Sequence, residues 1–284
     1  MILVTGATGH VGRELLPMLL ARGHAVRAMS RRPEAARLPE GVDVVRGDFD
    51  DASSLDTAVQ GTRCIFLVTT QPIGSIPAPT HEARVVEAAR RAGVRHIVKL
   101  SVLGGAAQGT THDPISRWHH AAEGAIKESG IAWTMLRPGR FMSNALQWSA
   151  MIRETGKVHV SFARRPAASI DPADIAAVAA CALTEPGHEG KAYELSGPEA
   201  LTPEQEISIL ATVLGRPLSL VPLDNDAARA GMRRWGMSDD VIDAAFARSE
   251  TAHGTEVLPT ASQVTGRAPR TFEQWARAHA GAFR

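Results

Sequence analysis

Three glycines near the start of the chain have the spacing and the setting of a phosphate-binding turn. Gly6, Gly9 and Gly12 lie after the apolar residues 1–4 and before a run of leucines at helical spacing. Glycine allows a tight turn and a close backbone approach to a ligand, and the N–H groups that begin a helix attract anions. We expect this turn to bind the pyrophosphate of a dinucleotide, with a purely structural glycine turn as the alternative. The predicted contacts are Gly6, Thr8, Gly9, His10, Val11 and Gly12.

The segment after the second apolar run indicates which dinucleotide this turn binds. An acidic residue there would hydrogen-bond the 2′-hydroxyl of the adenosine ribose, but the sequence has Ser30, Arg31 and Arg32. Two guanidinium groups and a hydroxyl suit a 2′-phosphate, so the sequence predicts NADP(H), with a solvated basic turn as the alternative. Asp48 and Phe49 follow the third strand and are expected beside the adenine, and Asp48 is also suited to cap a helix.

A lysine inside a predicted central strand is the first candidate for proton chemistry. Lys99 shares one face of this strand with Ile97 and Ser101. A strand that is buried on both faces tolerates lysine poorly except at its carboxyl end, where the ligand crevice of a parallel sheet opens. We expect Lys99 to contact the cofactor ribose or a substrate oxygen. A lysine that reaches the rim through its aliphatic stem is the alternative.

The second candidate is His119, on the helix predicted after this strand. It shares a helix face with Ile115, Ala122 and Ile126, and Glu123 is one turn further on. A histidine near its ordinary pKa can donate a proton to a carbonyl or quinone oxygen. A core histidine bonded to Glu123 or to the backbone is an equal alternative.

Alternating strand and helix patterns position these residues. Short apolar runs predict strands, and apolar residues at helical spacing predict the helices between them. The predicted strands are 1–5, 25–30, 42–46, 63–69, 95–102 and 132–137, and the predicted helices are 11–22, 50–59, 80–93 and 113–129. This alternation predicts an α/β fold, a doubly wound parallel Rossmann sheet.

After Pro138 the pattern changes to helices separated by short strands. The predicted helices are 144–155, 172–183, 203–214, 224–249 and 271–280, and the predicted strands are 157–160, 192–195 and 218–221. We interpret this half as a smaller C-terminal α+β substrate lobe. The expected organisation is an NAD(P)-binding Rossmann domain over residues 1–155 and a lobe over residues 156–284 that completes the substrate pocket, interleaved as a single structural unit.

Composition narrows the class of protein. The 284 residues carry a formal net charge of +1, which argues against a nucleic-acid binder. We see neither an apolar run long enough to span a membrane nor a secretory signal, so we expect a cytoplasmic protein. Cys64 and Cys181 fit buried, reduced residues better than a disulfide, and the histidines lack metal-ligand spacing, so no metal is expected.

Five segments of the chain form a recognisable set of motifs, namely 5–12, 30–33, 47–49, 96–101 and 136–139. Together they resemble the NmrA-like group of atypical short-chain dehydrogenases, which are quinone-reductase-like NAD(P)H-binding proteins. That group includes NADPH-dependent quinone reductases, phenylpropanoid reductases and non-catalytic NADP-sensing regulators. The resemblance implies the fold and the cofactor more specifically than the reaction. It implies further cofactor contacts at Thr69, Thr70, Lys99 and Pro138. It also implies a loop that lines the substrate pocket, with Phe141, Met142, Asn144 and Trp148.

The resemblance also shows that a catalytic pair is missing. Most short-chain dehydrogenases use a Tyr-x-x-x-Lys pair on a helix. The single tyrosine here, Tyr193, lies in a predicted strand of the smaller lobe and not on the helix that should carry it. Aligned on the family, Ile115 takes the position of that tyrosine and His119 the position of the lysine. A Tyr–Lys mechanism is therefore not expected.

We expect an NADPH-dependent oxidoreductase that transfers hydride to a small apolar acceptor of quinone or enone type, with His119 and Lys99 as candidate catalytic residues. A non-catalytic NADP(H)-sensing regulator that binds a protein partner is the alternative. A sugar-nucleotide epimerase ranks last because such enzymes need the tyrosine. The expected partner is a small-molecule substrate, without nucleic acid or membrane, and a homodimer is left open.

Overall fold

The computed structural model describes residues 1–69, 79–104, 113–252 and 254–284. Within them the strands are β1 (Ile2–Val4), β2 (Val26–Ser30), β3 (Asp43–Arg46), β4 (Cys64–Leu67), β5 (His96–Leu100), β6 (Ala132–Pro138), β7 (Lys157–Val160), β8 (Lys191–Leu195) and β9 (Ser219–Pro222). The α-helices are α1 (His10–Ala21), α2 (Ala52–Val59), α3 (Thr80–Arg91), α4 (Pro114–Glu128), α5 (Ser149–Thr155), α6 (Pro172–Thr184), α7 (Pro203–Leu214), α8 (Asn225–Arg234), α9 (Asp239–Ser249), α10 (Thr260–Thr265) and α11 (Phe272–Ala278). Short 3-10 helices lie at Pro33–Ala35, Met142–Trp148 and Ala280–Phe283.

A seven-stranded sheet in the order β3-β2-β1-β4-β5-β6-β8 organises the first of two compact units. The pairings from β3 to β6 are parallel, with Leu3 opposite both Arg27 and Ile65, and Leu67 opposite Lys99. The strand order reverses between β1 and β4, and the ligand crevice of a doubly wound sheet opens at such a point, beyond the carboxyl ends of the strands. The predicted α/β Rossmann-like fold is confirmed.

Apolar packing on both faces holds this sheet. One cluster of buried residues joins Leu3, Ile65 and Ile97 on the strands to residues of α2, α3 and α4. Helix α6 packs against α1 and is buried along nearly its whole length, from Pro172 to Leu183. Its alanine-rich sequence allows this close approach, because small side chains bring helices together without leaving cavities.

Strand β8 corrects one expectation. Residues 192–195 were expected in the smaller lobe, but β8 is the edge strand of the large sheet, next to β6. The Gly190 N–H donates to the Trp133 carbonyl at 2.7 Å, and the Thr134 hydroxyl donates to the His188 carbonyl at 2.7 Å. A short strand has the same local pattern in either setting, so these long-range bonds decide where it pairs.

The second unit contains α5, β7, β9, α7 to α11 and the turn Met142–Trp148. Its β7 and β9 form a two-stranded parallel sheet, and its core includes Trp148, Ile207, Phe272 and Trp275. The region 224–249, predicted to be helical, consists of two helices, α8 and α9, with a turn at Gly236, where φ is +79°. Glycine adopts this conformation without strain, which explains the break.

The two units alternate along the chain. Apart from a short piece that ends at Pro114, the chain enters the second unit after β6, returns to the first for α6 and β8, and then completes the second. Neither unit is one continuous segment of chain. The domain boundary at residue 155 stays a prediction.

Candidate active site

The glycine-rich turn joins β1 to α1. Gly6 has a φ of +60°, and a Cβ on Gly12 would lie 2.3 Å from the Gly6 carbonyl oxygen, so these two positions require glycine. The Thr5 hydroxyl donates to the Val68 carbonyl at 2.8 Å and accepts from the Val68 N–H at 2.7 Å, which fastens the turn to the end of β4. Within the described residues, no side chain caps α1 at Gly9. The first N–H groups of α1 are therefore available to an anion, and the turn fits a pyrophosphate.

A basic turn follows β2. Ser30 ends the strand and accepts the Arg32 N–H at 3.1 Å, while Arg31 and Arg32 are exposed. Neither guanidinium forms an ion pair with a described residue. Both are therefore available to a 2′-phosphate, and their cofactor contact stays a prediction.

The residues after β3 are arranged around an aromatic stack. Phe49 is buried, and its ring centroid lies 5.2 Å from that of His81 with nearly parallel planes. Asp48 accepts the Asp50 N–H at 3.1 Å, and the cap of α2 is Asp51, not Asp48. The adenine contacts of Asp48 and Phe49 stay predictions.

Lys99 is the most unusual side chain at the carboxyl edge of the sheet. It is 1% exposed, so the alternative of a lysine reaching the rim does not hold. Its Nζ donates to the Leu100 carbonyl at 3.0 Å and lies 3.6 Å from Glu82 Oε1 and 3.4 Å from His119 Nδ1. Burial lowers the pKa of Lys99 below its ordinary value, while the Glu82 and Glu123 carboxylates act in the opposite direction.

Glu82 is a partner of Lys99 that the sequence pattern did not predict. It lies in the first turn of α3 and is 0% exposed. Thr69, at the end of β4, donates to Oε1 at 2.6 Å, while Oε2 has no hydrogen bond within the described part of the chain. An acidic residue in the first turn of a helix is usually explained by the helix dipole, so the only sequence signal was weak.

A second buried network lies beside the first. Glu123 is 0% exposed and accepts two bonds from Arg137, at 3.0 and 2.6 Å, and one from Ser101 at 2.7 Å. Burial acts to raise the pKa of Glu123, but the bonds from Arg137 and Ser101 outweigh it and hold that pKa below its ordinary value. Arg137 and Ser101 therefore hold this carboxylate, and the described Nδ1 contact of half-buried His119 is with Lys99.

The remaining predicted residues fall into three groups. Thr69 and buried Pro138 lie at the carboxyl ends of β4 and β6, and Thr70 lies outside the described residues. Met142 and Trp148 are 1% and 4% exposed and belong to the core of the second unit, so the structure gives them a packing role. Phe141 is half-buried and Asn144 is exposed, and both stay proposed substrate contacts.

Tyr193 lies on β8, and its hydroxyl is 2.8 Å from His188 Nδ1.

Cys64 and Cys181 are free and buried, as predicted. Among the described residues no group of three or more histidine, cysteine, aspartate or glutamate side chains is arranged to hold a metal ion. The helices in the described ranges are too short or too polar to cross a membrane.

Comparison with known proteins identifies the class. A family described as NAD(P)H-binding matches residues 6–186. The chain is 43% identical to a (4-alkanoyl-5-oxo-2,5-dihydrofuran-3-yl)methyl phosphate reductase of Streptomyces griseus and 35% identical to an NAD(P)H azoreductase of Xenophilus azovorans. Both alignments cover 100% of this chain and 99% of the relative. The chain belongs to the NAD(P)H-binding family.

The chain also resembles a solved structure of an enzyme with its cofactor bound. The NADPH-dependent quinone oxidoreductase 2 of Escherichia coli, complexed with NADPH, matches with a TM-score of 0.81 and 28% identity, over 99% of this chain and 100% of that one. The protein is thus an NAD(P)H-dependent oxidoreductase related to quinone reductase and azoreductase. The resemblance inferred from the sequence motifs is confirmed.

Proposed function

We propose that this protein uses NADPH to reduce a conjugated, electron-poor double bond of enone or quinone type, and that His119 donates the proton. The observation that carries the proposal is the array of buried Glu82, buried Lys99 and half-buried His119 at the carboxyl edge of the sheet. Lys99 lies on β5, which is next to β4, and the phosphate turn is fastened to the end of β4. A titratable array at this edge is expected where a ligand meets a doubly wound sheet.

The cofactor part of the proposal rests on the two turns. The glycine turn would hold the pyrophosphate, and Arg31 and Arg32 would hold the 2′-phosphate. When bound, NADPH supplies a hydride. Reduction of the acceptor then needs one proton in addition, and the protein has to provide it.

In this proposal His119 and Lys99 supply that proton. An ammonium on Lys99 donates to Nδ1 of His119 across 3.4 Å, which favours the tautomer with the proton on Nε2. His119 can then give the Nε2 proton to the acceptor and regain a proton at Nδ1 from Lys99. Burial makes the Lys99 ammonium a stronger acid than an exposed lysine, which assists this transfer. Glu82 keeps the ammonium in place and compensates its charge.

The acceptor class is inferred from the relatives. The Streptomyces griseus relative is named for a furanone that carries an alkanoyl group and a methyl phosphate, and others are named for azo compounds and quinones. These acceptors share an unsaturated bond that takes up a hydride and a proton. Because the furanone reductase has the highest identity of the three, we propose an enone-type acceptor, with quinones as alternative substrates.

The test compares one substitution with a matched control. Purified protein is mixed with NADPH and a panel of furanones, enones and quinones, and NADPH consumption is followed. His119→Gln should lower kcat/KM for the enones by about 100-fold or more, the usual share of a general acid. His120→Gln, at the exposed neighbouring position, should have no effect. Tyr193→Phe should also retain activity.

Two results would contradict the proposal in different ways. Tight NADPH binding without turnover of any acceptor would favour a non-catalytic NADP(H) sensor. Full turnover by His119→Gln would keep the reductase but remove His119 as the proton donor.

A further inference from the structure

A cavity opens at the amino ends of the strands of the large sheet, at the edge opposite to the one that carries Lys99. Its volume is about 470 Å³, which is in the range of small-molecule sites. Its lining belongs to the first unit alone and comes from the starts of several strands and from the end of α6 with the loop after it. We call it the amino-edge cavity. Its buried lining includes Ile2, Cys64, His96 and Leu183, and its exposed lining includes Arg63 and Arg95.

The two arginines stand side by side. Arg63 and Arg95 directly precede β4 and β5, and the Arg95 N–H donates to the Arg63 carbonyl at 2.9 Å. The pairing of these parallel strands puts the two residues in the same register, so their side chains point to the same face. Within the described residues neither guanidinium forms a hydrogen bond or an ion pair. Two adjacent guanidiniums with free N–H groups match the oxygens of a carboxylate.

The acidic side chains at the cavity do not balance these charges. Glu185 is held by Arg22, whose guanidinium donates to it at 2.8 Å. Glu189 accepts a backbone N–H of its own loop at 3.0 Å and pairs with no arginine among the described residues. Arg63 and Arg95 therefore outnumber the one lining carboxylate that no arginine holds. This excess of positive charge favours an anionic ligand.

A buried histidine offers a hydrogen-bond acceptor in the same cavity. His96 is 7% exposed, and its Nε2 lies 2.9 Å from the Thr134 hydroxyl oxygen. That hydroxyl donates its one proton to the His188 carbonyl at 2.7 Å, so Nε2 has to be the donor to Thr134. Burial lowers the pKa of His96 and keeps the ring neutral, which leaves a lone pair on Nδ1. Nδ1 has no hydrogen bond within the described part of the chain and can accept one from a ligand.

The remaining buried lining selects an organic ligand over an inorganic ion. Ile2 and Leu183 are 5% and 6% exposed and present aliphatic surface. Burial raises the pKa of the Cys64 thiol, so this side chain stays protonated and behaves as a small apolar group. An apolar body of a ligand fits this surface, whereas phosphate or sulfate would leave it without a contact.

We propose that the amino-edge cavity binds a small organic carboxylate that also carries a hydroxyl group. The carboxylate is bound by Arg63 and Arg95, and the hydroxyl donates to Nδ1 of His96. The body of the ligand packs against Ile2 and Leu183. The proposal does not depend on the proposed function, because the cofactor turns and the array around Lys99 contribute no residue to this cavity.

Isothermal titration of the full-length protein with the three isomers of hydroxybenzoate tests the site. The protein is saturated with NADPH, which keeps the probe out of the cofactor turns. At least one isomer should bind, and Arg63→Gln and Arg95→Gln should each weaken its binding by about tenfold or more, as expected for the loss of charge-assisted hydrogen bonds. Arg267→Gln is the matched control, because it removes an exposed arginine that does not line the cavity.

Benzoate tests the contact with His96. It keeps the carboxylate and the ring but lacks the hydroxyl, so it should bind about three- to tenfold more weakly than the best hydroxybenzoate isomer. His96→Phe removes the acceptor and should bind the two compounds equally. Circular dichroism shows whether this buried substitution is folded, and the comparison of benzoate with hydroxybenzoate on the wild type holds without it. Equal binding of the two compounds by the wild type would contradict the hydroxyl contact.

His119→Gln separates the amino-edge cavity from the proposed acceptor site. This variant should bind hydroxybenzoate as the wild type does, and hydroxybenzoate should not compete with the acceptor in the NADPH assay. Absence of binding by any isomer, or equal binding by wild type, Arg63→Gln and Arg95→Gln, would overturn the proposal. Binding that weakens in His119→Gln and not in the arginine variants would overturn it as well, because the probe would then occupy the acceptor site.

Discussion

Replacing Lys99 by methionine should destabilise the protein more than replacing both Lys99 and Glu82. The two side chains are 1% and 0% exposed, and Lys99 Nζ lies 3.6 Å from Glu82 Oε1. At that distance and an effective dielectric constant of about 20, their attraction is about 4–5 kcal/mol. Lys99→Met leaves the Glu82 carboxylate buried without its counter-charge, a change that costs about 3–5 kcal/mol.

The double variant removes this uncompensated charge. In Lys99→Met/Glu82→Gln the amide oxygen of the new glutamine can still accept the Thr69 hydroxyl, whose bond to Glu82 is 2.6 Å long. Methionine fills a volume close to that of the lysine stem. We expect the double variant to recover about 2–3 kcal/mol relative to Lys99→Met alone, within the range measured for coupled neighbours.

Urea unfolding at neutral pH provides the free energies for this double-mutant cycle. The exposed pair Arg90 and Glu87 is the control, because its coupling should stay below about 1 kcal/mol. If the effects of Lys99→Met and Glu82→Gln add to within about 0.5 kcal/mol, the two charges are not coupled and the proposed proton path loses its support.

Three further predictions concern the cofactor turns and the second buried network. Arg31→Ala should raise the Kd for NADPH about tenfold or more and leave NADH binding unchanged in fluorescence titrations, and an unchanged NADPH affinity would refute the 2′-phosphate contact. Gly12→Ala should abolish cofactor binding and lower the Tm, because its Cβ would lie 2.3 Å from the Gly6 carbonyl oxygen, and a variant that binds NADPH normally would contradict this assignment. Glu123→Gln should remove an acid-sensitive part of the stability. The pKa of Glu123 is held below its ordinary value, so its bonds to Arg137 and Ser101 stabilise the fold above a pH of about 4.3, and this contribution is lost as the pH falls through the lowered pKa. Unfolding free energies of wild type and variant should therefore converge in acid, and a constant difference at all pH values would show that this linkage is wrong.

The large sheet could be predicted from the sequence because its signals are local. Each apolar run of the first half is a strand in the structure, and the glycine turn follows β1 as the spacing required. The position of β8 could not be predicted, because its pairing depends on contacts with β6 more than fifty residues away. Local patterns specify what a segment is, and long-range packing specifies where it lies.

The candidate site likewise contains residues that a local sequence signal reveals and residues whose position depends on long-range packing. Lys99 was identified because a lysine in a buried strand is an anomaly in the sequence. Glu82 was missed because its burial depends on how α3 packs, which no spacing reveals. Met142 and Trp148 were expected in a pocket wall and lie in a core, because apolar side chains in a loop have the same sequence pattern in both settings.

Deuterium transfer tests the central claim most directly. The protein is incubated with NADPH deuterated at the transferring position of the nicotinamide and with a furanone or enone acceptor, and the product is analysed by mass spectrometry and NMR. We predict one deuterium at carbon from one stereoisomer of the labelled cofactor, and one hydrogen from solvent whose delivery slows in His119→Gln. NADPH binding without deuterium in the product of any acceptor would contradict the proposal that this protein is a hydride-transferring reductase for such acceptors.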